Sequence, residues 1–107
     1  MEELITISED SPTDRSIVPE NNGTIPYIKY DVLISNPYKY SEREFFQEVH
    51  FVRRRKKHLQ IERYNLKRMH LLKKYGWGVH IDLNKKIAII PCESQRYKEL
   101  LNDKSVR

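Results

Sequence analysis

The segment Tyr75-Gly76-Trp77-Gly78-Val79-His80 collects residue types suited to holding a ligand. Two glycines let a bound molecule approach the backbone, Trp77 offers a stacking face, and His80 offers a hydrogen-bonding ring. Asn36-Pro37-Tyr38-Lys39-Tyr40 supplies two more aromatics. Tyr38, Tyr40, Tyr75, Trp77 and His80 are therefore the candidate ligand-binding residues. A plainer reading of the same segment is architectural: Gly76 stops a helix, Gly78 makes room beneath a ring, and Trp77 fills the core. The chain has no GxGxxG pattern and no P-loop, so phosphate cradling has no motif behind it.

A second chemistry is carried by charge. Arg53, Arg54, Arg55, Lys56, Lys57, Arg63, Lys67, Arg68, Lys73 and Lys74 form a basic band across residues 53–74. Such bands bind phosphate backbones through counterion release. Tyr64 and Tyr75 would add stacking on single strands. A basic helix at 66–75 followed by a hairpin at 77–90 also has the order of a winged helix, although an opening strand and a long early loop argue against that topology. The competing reading is internal. Residues 1–50 carry four Lys/Arg against ten Asp/Glu, a balance of −6, and residues 51–107 carry sixteen against five, a balance of +11. The band then pairs with the acidic half of its own fold, or serves a nucleic acid or acidic protein partner.

Other chemistries find little support. His50, His58, His70 and His80 show no HxxxH or HExxH spacing, so a metal site would need them to converge in space with carboxylates such as Asp82. Cys92 stands alone, which rules out an internal disulfide or a zinc knuckle. Cys92 and His80 as nucleophile and base is a weak pattern, because a lone cysteine is usually inert packing. No catalytic residue, metal or cofactor is assigned. Residues 1–6 have no basic flank and no long apolar run, unlike a signal peptide. No segment approaches the ~20 apolar residues that span a bilayer. The expected setting is a reduced cytoplasm without membrane contact.

These groups need elements to position them. The 107 residues fit one domain over 1–107, and a 38% hydrophobic fraction permits one modest core. Leu4 to Ile7 reads as a short strand. Residues 9–23 read as a long loop whose only apolar residues are Ile17 and Val18. Thr24 and Pro26 open a helix that ends near Ser35, ahead of Pro37. Ser41 and Glu44 form a capping box before Phe45, Phe46, Val49 and Val52 on one helical face, with a strand pairing Val49 and Phe51 as the rival. Leu59 and Ile61 suggest a short strand. Asn65 is placed to cap a helix carrying Leu66, Met69 and Leu72, stopped by Gly76. Trp77–Asp82 and Ile87–Ile90 are the best strand pair, the second continuously apolar and thus covered on both faces, with Pro91 ending the pairing. Residues 93–101 read as an amphipathic helix with Tyr97, Leu100 and Leu101 inward, followed by a frayed tail at 102–107.

Asn36-Pro37-Tyr38-Lys39-Tyr40 and Lys74-Tyr75-Gly76-Trp77-Gly78-Val79-His80, followed by Lys86-Ile87-Ala88, resemble a family of small bacterial proteins known as a domain of unknown function. Residues 5–12 and the stretch from Glu93-Ser94 to Tyr97 are also similar to it. The resemblance implies a single domain in a bacterial cytoplasm and brings no activity. The family pattern is longer between the basic run and the Tyr-Gly-Trp-Gly segment. It has Ser-Pro where this chain has Met69-His70 and Cys where it has Ser11, so no role of those residues carries over.

The fold class expected is α+β: a small, mostly antiparallel sheet with three or four helices packed on it. The leading functional expectation is a non-enzymatic binding or accessory module. The alternatives are a nucleic-acid-binding module using the band at 53–74, and a small-molecule binder or small enzyme around Trp77 and His80.

Overall fold

The computed structural model describes residues 2–7, 12, 15–21, 23–53, 66 and 69–106, with backbone alone at 52 and 53. Strands β1 (Glu3–Ile5), β2 (Trp77–Ile81) and β3 (Ile87–Pro91) form an antiparallel sheet in the order β1-β2-β3. Among the described residues four α-helices accompany it: α1 (Ile25–Ser35), α2 (Glu42–Gln47), α3 (His70–Lys73) and α4 (Gln95–Asn102). A π-helical segment, Glu48–Arg53, continues α2. This is the α+β architecture that the residue pattern predicts.

Local chemistry explains most of the boundaries. Pro26 sits in the first turn of α1, where its missing N–H costs nothing, and the helix stops at Ser35 one residue before Asn36-Pro37. Thr24 takes the cap position with extended backbone but makes no side-chain capping bond. Ser41 and Glu44 do form the reciprocal capping box on α2, at 3.3 and 3.0 Å. Residues 45–53 are helical, so the rival strand pairing of Val49 and Phe51 is not formed. The β2–β3 turn is built by Asp82, whose Oδ1 accepts from the N–H groups of Asn84 and Lys86 at 2.9 Å each. Lys85 completes the turn with φ 65°.

The sheet is covered on both faces. Trp77, Val79, Ile87 and Ile89 pack with Val32, Leu33, Phe45, Phe46, Val49, Leu66, Met69, Leu71 and Leu72 in one cluster. Ile90 packs with Tyr97 and Leu100 of α4 in a second, joined by Leu4, Cys92 and Val106. The alternation of side chains along β3 separates the two sets. At about 1.5–3 kcal/mol per fully buried large apolar side chain, the larger cluster carries most of the hydrophobic stabilisation.

Several expectations are corrected. The helix expected over 66–75 is confined, among the described residues, to His70–Lys73, with Leu66, Met69, Leu71 and Leu72 all buried. Pro91 does end the pairing, as the last residue of β3 opposite Trp77, so the strand runs one residue past the expected Ile87–Ile90. Leu101 is 51% exposed rather than inward, because the buried stripe of α4 runs through Tyr97 and Leu100 only. In the C-terminal segment, Val106 bridges Glu2 and packs on the smaller cluster. The short strand expected at Leu59 and Ile61 and the cap at Asn65 lie outside the described residues.

Candidate functional site

A strap of irregular chain, residues 15–21, is held against the start of β2. The Ile17 N–H donates to the Tyr75 carbonyl at 2.8 Å. The Trp77 indole Nε1–H donates back to the Ile17 carbonyl at 2.9 Å. The N–H and hydroxyl of Ser16 donate to the two oxygens of the Glu93 carboxylate at 2.8 and 2.7 Å. The Ser16 hydroxyl, foremost, holds the Glu93 carboxyl below its ordinary range. Pro19 is buried. The strap therefore takes a defined position through main-chain and charge-assisted bonds.

Between this strap, the first turn of α1 and α3 lies an open groove of about 800 Å³. Its apolar lining is Ile17, Val18, Ile25 and Pro26, and its polar lining includes Glu20, Lys29, His70 and Tyr75. Ile17 and Val18 are 47% and 57% exposed, and Ile25 is 36% exposed, so the apolar lining faces solvent. His70 is held below its ordinary pKa, first by partial burial and then by the cations Lys74, Lys29 and Lys73. Its imidazole thus stays neutral to a lower pH than a free one.

A second polar constellation crosses the hairpin. Tyr38 Oη lies 2.7 Å from His80 Nδ1, and His80 Nε2 lies 3.0 Å from Glu2 Oε1. His80 is 2% exposed. For a neutral imidazole the consistent assignment has Tyr38 donating to Nδ1 and Nε2–H donating to Glu2. Burial, foremost, pushes the Tyr38 phenol above its ordinary pKa, reinforced by Asp82 and Glu2 and opposed by Arg96. Tyr38 has φ 59°, an unfavourable left-handed backbone for a residue with a side chain. It is pinned there by its N–H bond to the Ile87 carbonyl at 3.0 Å.

The five candidate ligand-binding residues separate into different places. Tyr38 and His80 meet edge to face, with ring centroids 5.5 Å apart. Trp77 lies three residues before His80 on the same strand, so the period of two sends the side chains to opposite faces. Trp77 packs beside Tyr30, 5.4 Å between centroids, within the larger cluster. Tyr75 lines the groove. Tyr40 packs at the edge of the core, with Lys39 Nζ 5.3 Å from its ring centre.

Of the basic band, Lys73 and Lys74 are described and exposed, at the end of α3. The side chain of Arg53 and all of Arg54, Arg55, Lys56, Lys57, Arg63, Lys67 and Arg68 lie outside the described residues. The hairpin that a winged helix would project outward is instead packed, with residues 77–80 and 87–90 all buried. His50 is buried and stacks on Phe46, with 6.2 Å between ring centres. Among the described residues, no group of three or more His, Cys, Asp and Glu side chains converges as a metal site. None of their helices is long and apolar enough to cross a membrane.

Ile17, Val18, Ile25, Lys29 and His70 were not among the residues singled out for binding. The one local signal was the apolar pair Ile17-Val18 within an otherwise polar loop. Glu2 and its link to His80 had no signal, because 78 residues separate them.

Over residues 1–107 the chain matches the model described as Family of unknown function (DUF6157). No curated protein and no solved structure matches it.

Proposed function

The chain belongs to the family of unknown function DUF6157, and on that premise we propose that it is a non-enzymatic binding module whose groove takes a small molecule. One observation carries the reading. Ile17 and Val18 face solvent while their segment is hydrogen-bonded in place through Tyr75, Trp77 and Glu93. A fixed apolar surface in a concave setting favours ligand burial, since little ordering remains to be done on binding. The volume falls within the ~300–1,000 Å³ typical of small-molecule sites.

The Tyr38–His80–Glu2 chain supports the non-enzymatic part of this proposal. Both ring nitrogens of His80 are already partnered and the ring is buried, so no nitrogen is left to act as a base toward a substrate. A single cysteine, Cys92, leaves no internal disulfide to form, which favours a reducing cytoplasmic setting within the same proposal.

A library of metabolites screened by thermal shift, followed by amide NMR, tests the reading. The expected outcome is stabilisation by one compound class, with resonance shifts centred on Ile17, Val18, Ile25 and His70. Stabilising compounds that move other regions and leave these residues still would end it.

A second reading, nucleic-acid binding, keeps the support of the cationic density at 53–74 and of the exposed pair Lys73 and Lys74. Titration with duplex DNA and single-stranded RNA at low salt tests it, and no association there would remove it.

A further inference from the structure

We propose that the groove binds an amphiphilic anion, an aliphatic body with one carboxylate or phosphate-ester head, and that His70 takes up a proton as the anion binds. The inference rests on the groove being the binding site and names the chemistry of what it takes.

The lining divides into two kinds of surface. Ile17, Val18 and Ile25 offer exposed hydrocarbon, which an inorganic anion would leave wet. Lys29 and His70 lie on the same lining. Lys73 and Lys74 add positive charge that reaches His70 electrostatically. The strap contributes one opposing carboxylate, Glu20, and Tyr75 contributes a phenol. Among the described residues the lining itself holds Lys29 and His70 against Glu20, and Lys73 and Lys74 bring further positive charge to His70, so the field around the imidazole is positive. That field repels a cationic head and gains nothing from a neutral one. An anionic head offsets the mutual repulsion of these cations, and the hydrocarbon body covers the apolar lining.

The proton linkage follows from the same arrangement. Unliganded, His70 is neutral at pH values where a free imidazole is partly charged, because burial and three lysines disfavour the imidazolium. An anion beside the ring favours the imidazolium and raises its pKa in the complex. A site that binds protons more tightly when occupied binds its ligand more tightly as pH falls. Between pH 8 and 6 imidazole is the side chain whose charge changes.

The test uses the full chain with five probes, each below its micelle concentration: decanoate, decyl phosphate, decanol, decyltrimethylammonium and acetate. Amide NMR and the fluorescence of Trp77, bonded to the strap at Ile17, report binding at pH 6 and pH 8. The expected result is that decanoate, decyl phosphate or both shift Ile17, Val18 and Ile25 at least tenfold more tightly than decanol. Acetate and the cationic amphiphile should stay silent. The anion that binds should do so several-fold more tightly at pH 6, and His70→Gln should flatten that dependence while leaving the β2 and β3 amides in place. Lys29→Gln should weaken the anion and spare decanol. Comparison of the two anionic probes assigns the head.

Binding of decanol or the cationic amphiphile as tight as that of the anions would keep the groove and overturn the anion inference. Equal anion affinity at both pH values would overturn the proton uptake. Shifts in none of these residues with any probe would overturn the anion inference, while the metabolite screen decides the groove itself.

Discussion

The main-chain carbonyl of Arg15 passes so close to Gly76 that a methyl group there would overlap the carbonyl oxygen. The same methyl would also stand 3.3 Å from Cys92 Sγ. Gly76 has φ 73°, a backbone region that alanine adopts at a cost of roughly 1–2 kcal/mol. Gly76→Ala therefore meets two penalties, and the strap is the part able to move. The expected outcome is a loss of about 2 kcal/mol or more, on the order of 10 °C in Tm, with the Ile17 and Trp77 resonances displaced. An unchanged Tm with an unchanged indole Nε1–H signal would refute the close approach.

Two residues on, Gly78 lies under the ring of Tyr97. A Cβ at Gly78 would come within 2.6 Å of Tyr97 Cε2 and 3.1 Å of the Ile5 carbonyl oxygen. Gly78→Ala should lift α4 from the sheet and destabilise the fold by about 1–3 kcal/mol, as overpacking does. Tyr97→Phe, which only removes the acceptor of the Ile7 N–H bond at 3.1 Å, should cost about 1 kcal/mol. Urea unfolding of both variants checks the ranking, and a Gly78→Ala variant as stable as the parent would contradict it.

Much of the frame was legible because its signals are local. The Ser41–Glu44 capping box, the stop before Asn36-Pro37 and the continuously apolar Ile87–Ile90 are each written within a few residues, and each formed. The second face of β2 was not legible. Alternation predicts one covered face, yet Gly78 and His80 are buried because Tyr97 of α4 covers the glycine and Tyr38 and Glu2 close around the imidazole. Leu101 misled for a related reason: apolar type at helical spacing says nothing of whether a neighbour reaches that side. The groove was hidden most deeply. Its apolar lining is divided between the loop (Ile17, Val18) and the first turn of α1 (Ile25, Pro26), its cations lie on two helices, and the bonds from the strap to Tyr75, Trp77 and Glu93 bring them together.

Tyr38, His80 and Glu2 tie the turn after α1, the centre of the sheet and the N-terminus into one hydrogen-bonded chain. Tyr38→Phe keeps the ring and the left-handed backbone and removes the hydroxyl. His80 Nδ1 then loses its partner inside a buried site, which costs about 1–3 kcal/mol. The expected outcome is a lower denaturation midpoint at unchanged m-value, together with a changed tautomer signature in the His80 ring nitrogens. Identical ring-nitrogen shifts in the variant would show that the hydroxyl does not engage Nδ1.

Glu44 gives the fold a defined acid sensitivity. Its Oε1 lies 2.9 Å from Lys86 Nζ and 3.0 Å from the Ser41 N–H, joining α2 to the start of β3. The Lys86 ammonium, foremost, and the capping bonds with Ser41 lower its pKa from the ordinary 4.5 to about 2. A folded-state value below the unfolded one means that the unfolded chain binds the proton more readily. The contribution of this carboxylate is then fully present above about pH 4.5 and fades as pH falls toward about 2. The Glu44 side chain is half exposed, so the effect is modest and shrinks with salt. Glu44→Gln keeps a side-chain oxygen for the Ser41 N–H and removes the charge. Its stability should fall below that of the parent at pH 7 and converge with it as pH approaches 2. A gap between the two that stays constant from pH 7 to 2 would show that the charge on Glu44 contributes nothing to the fold.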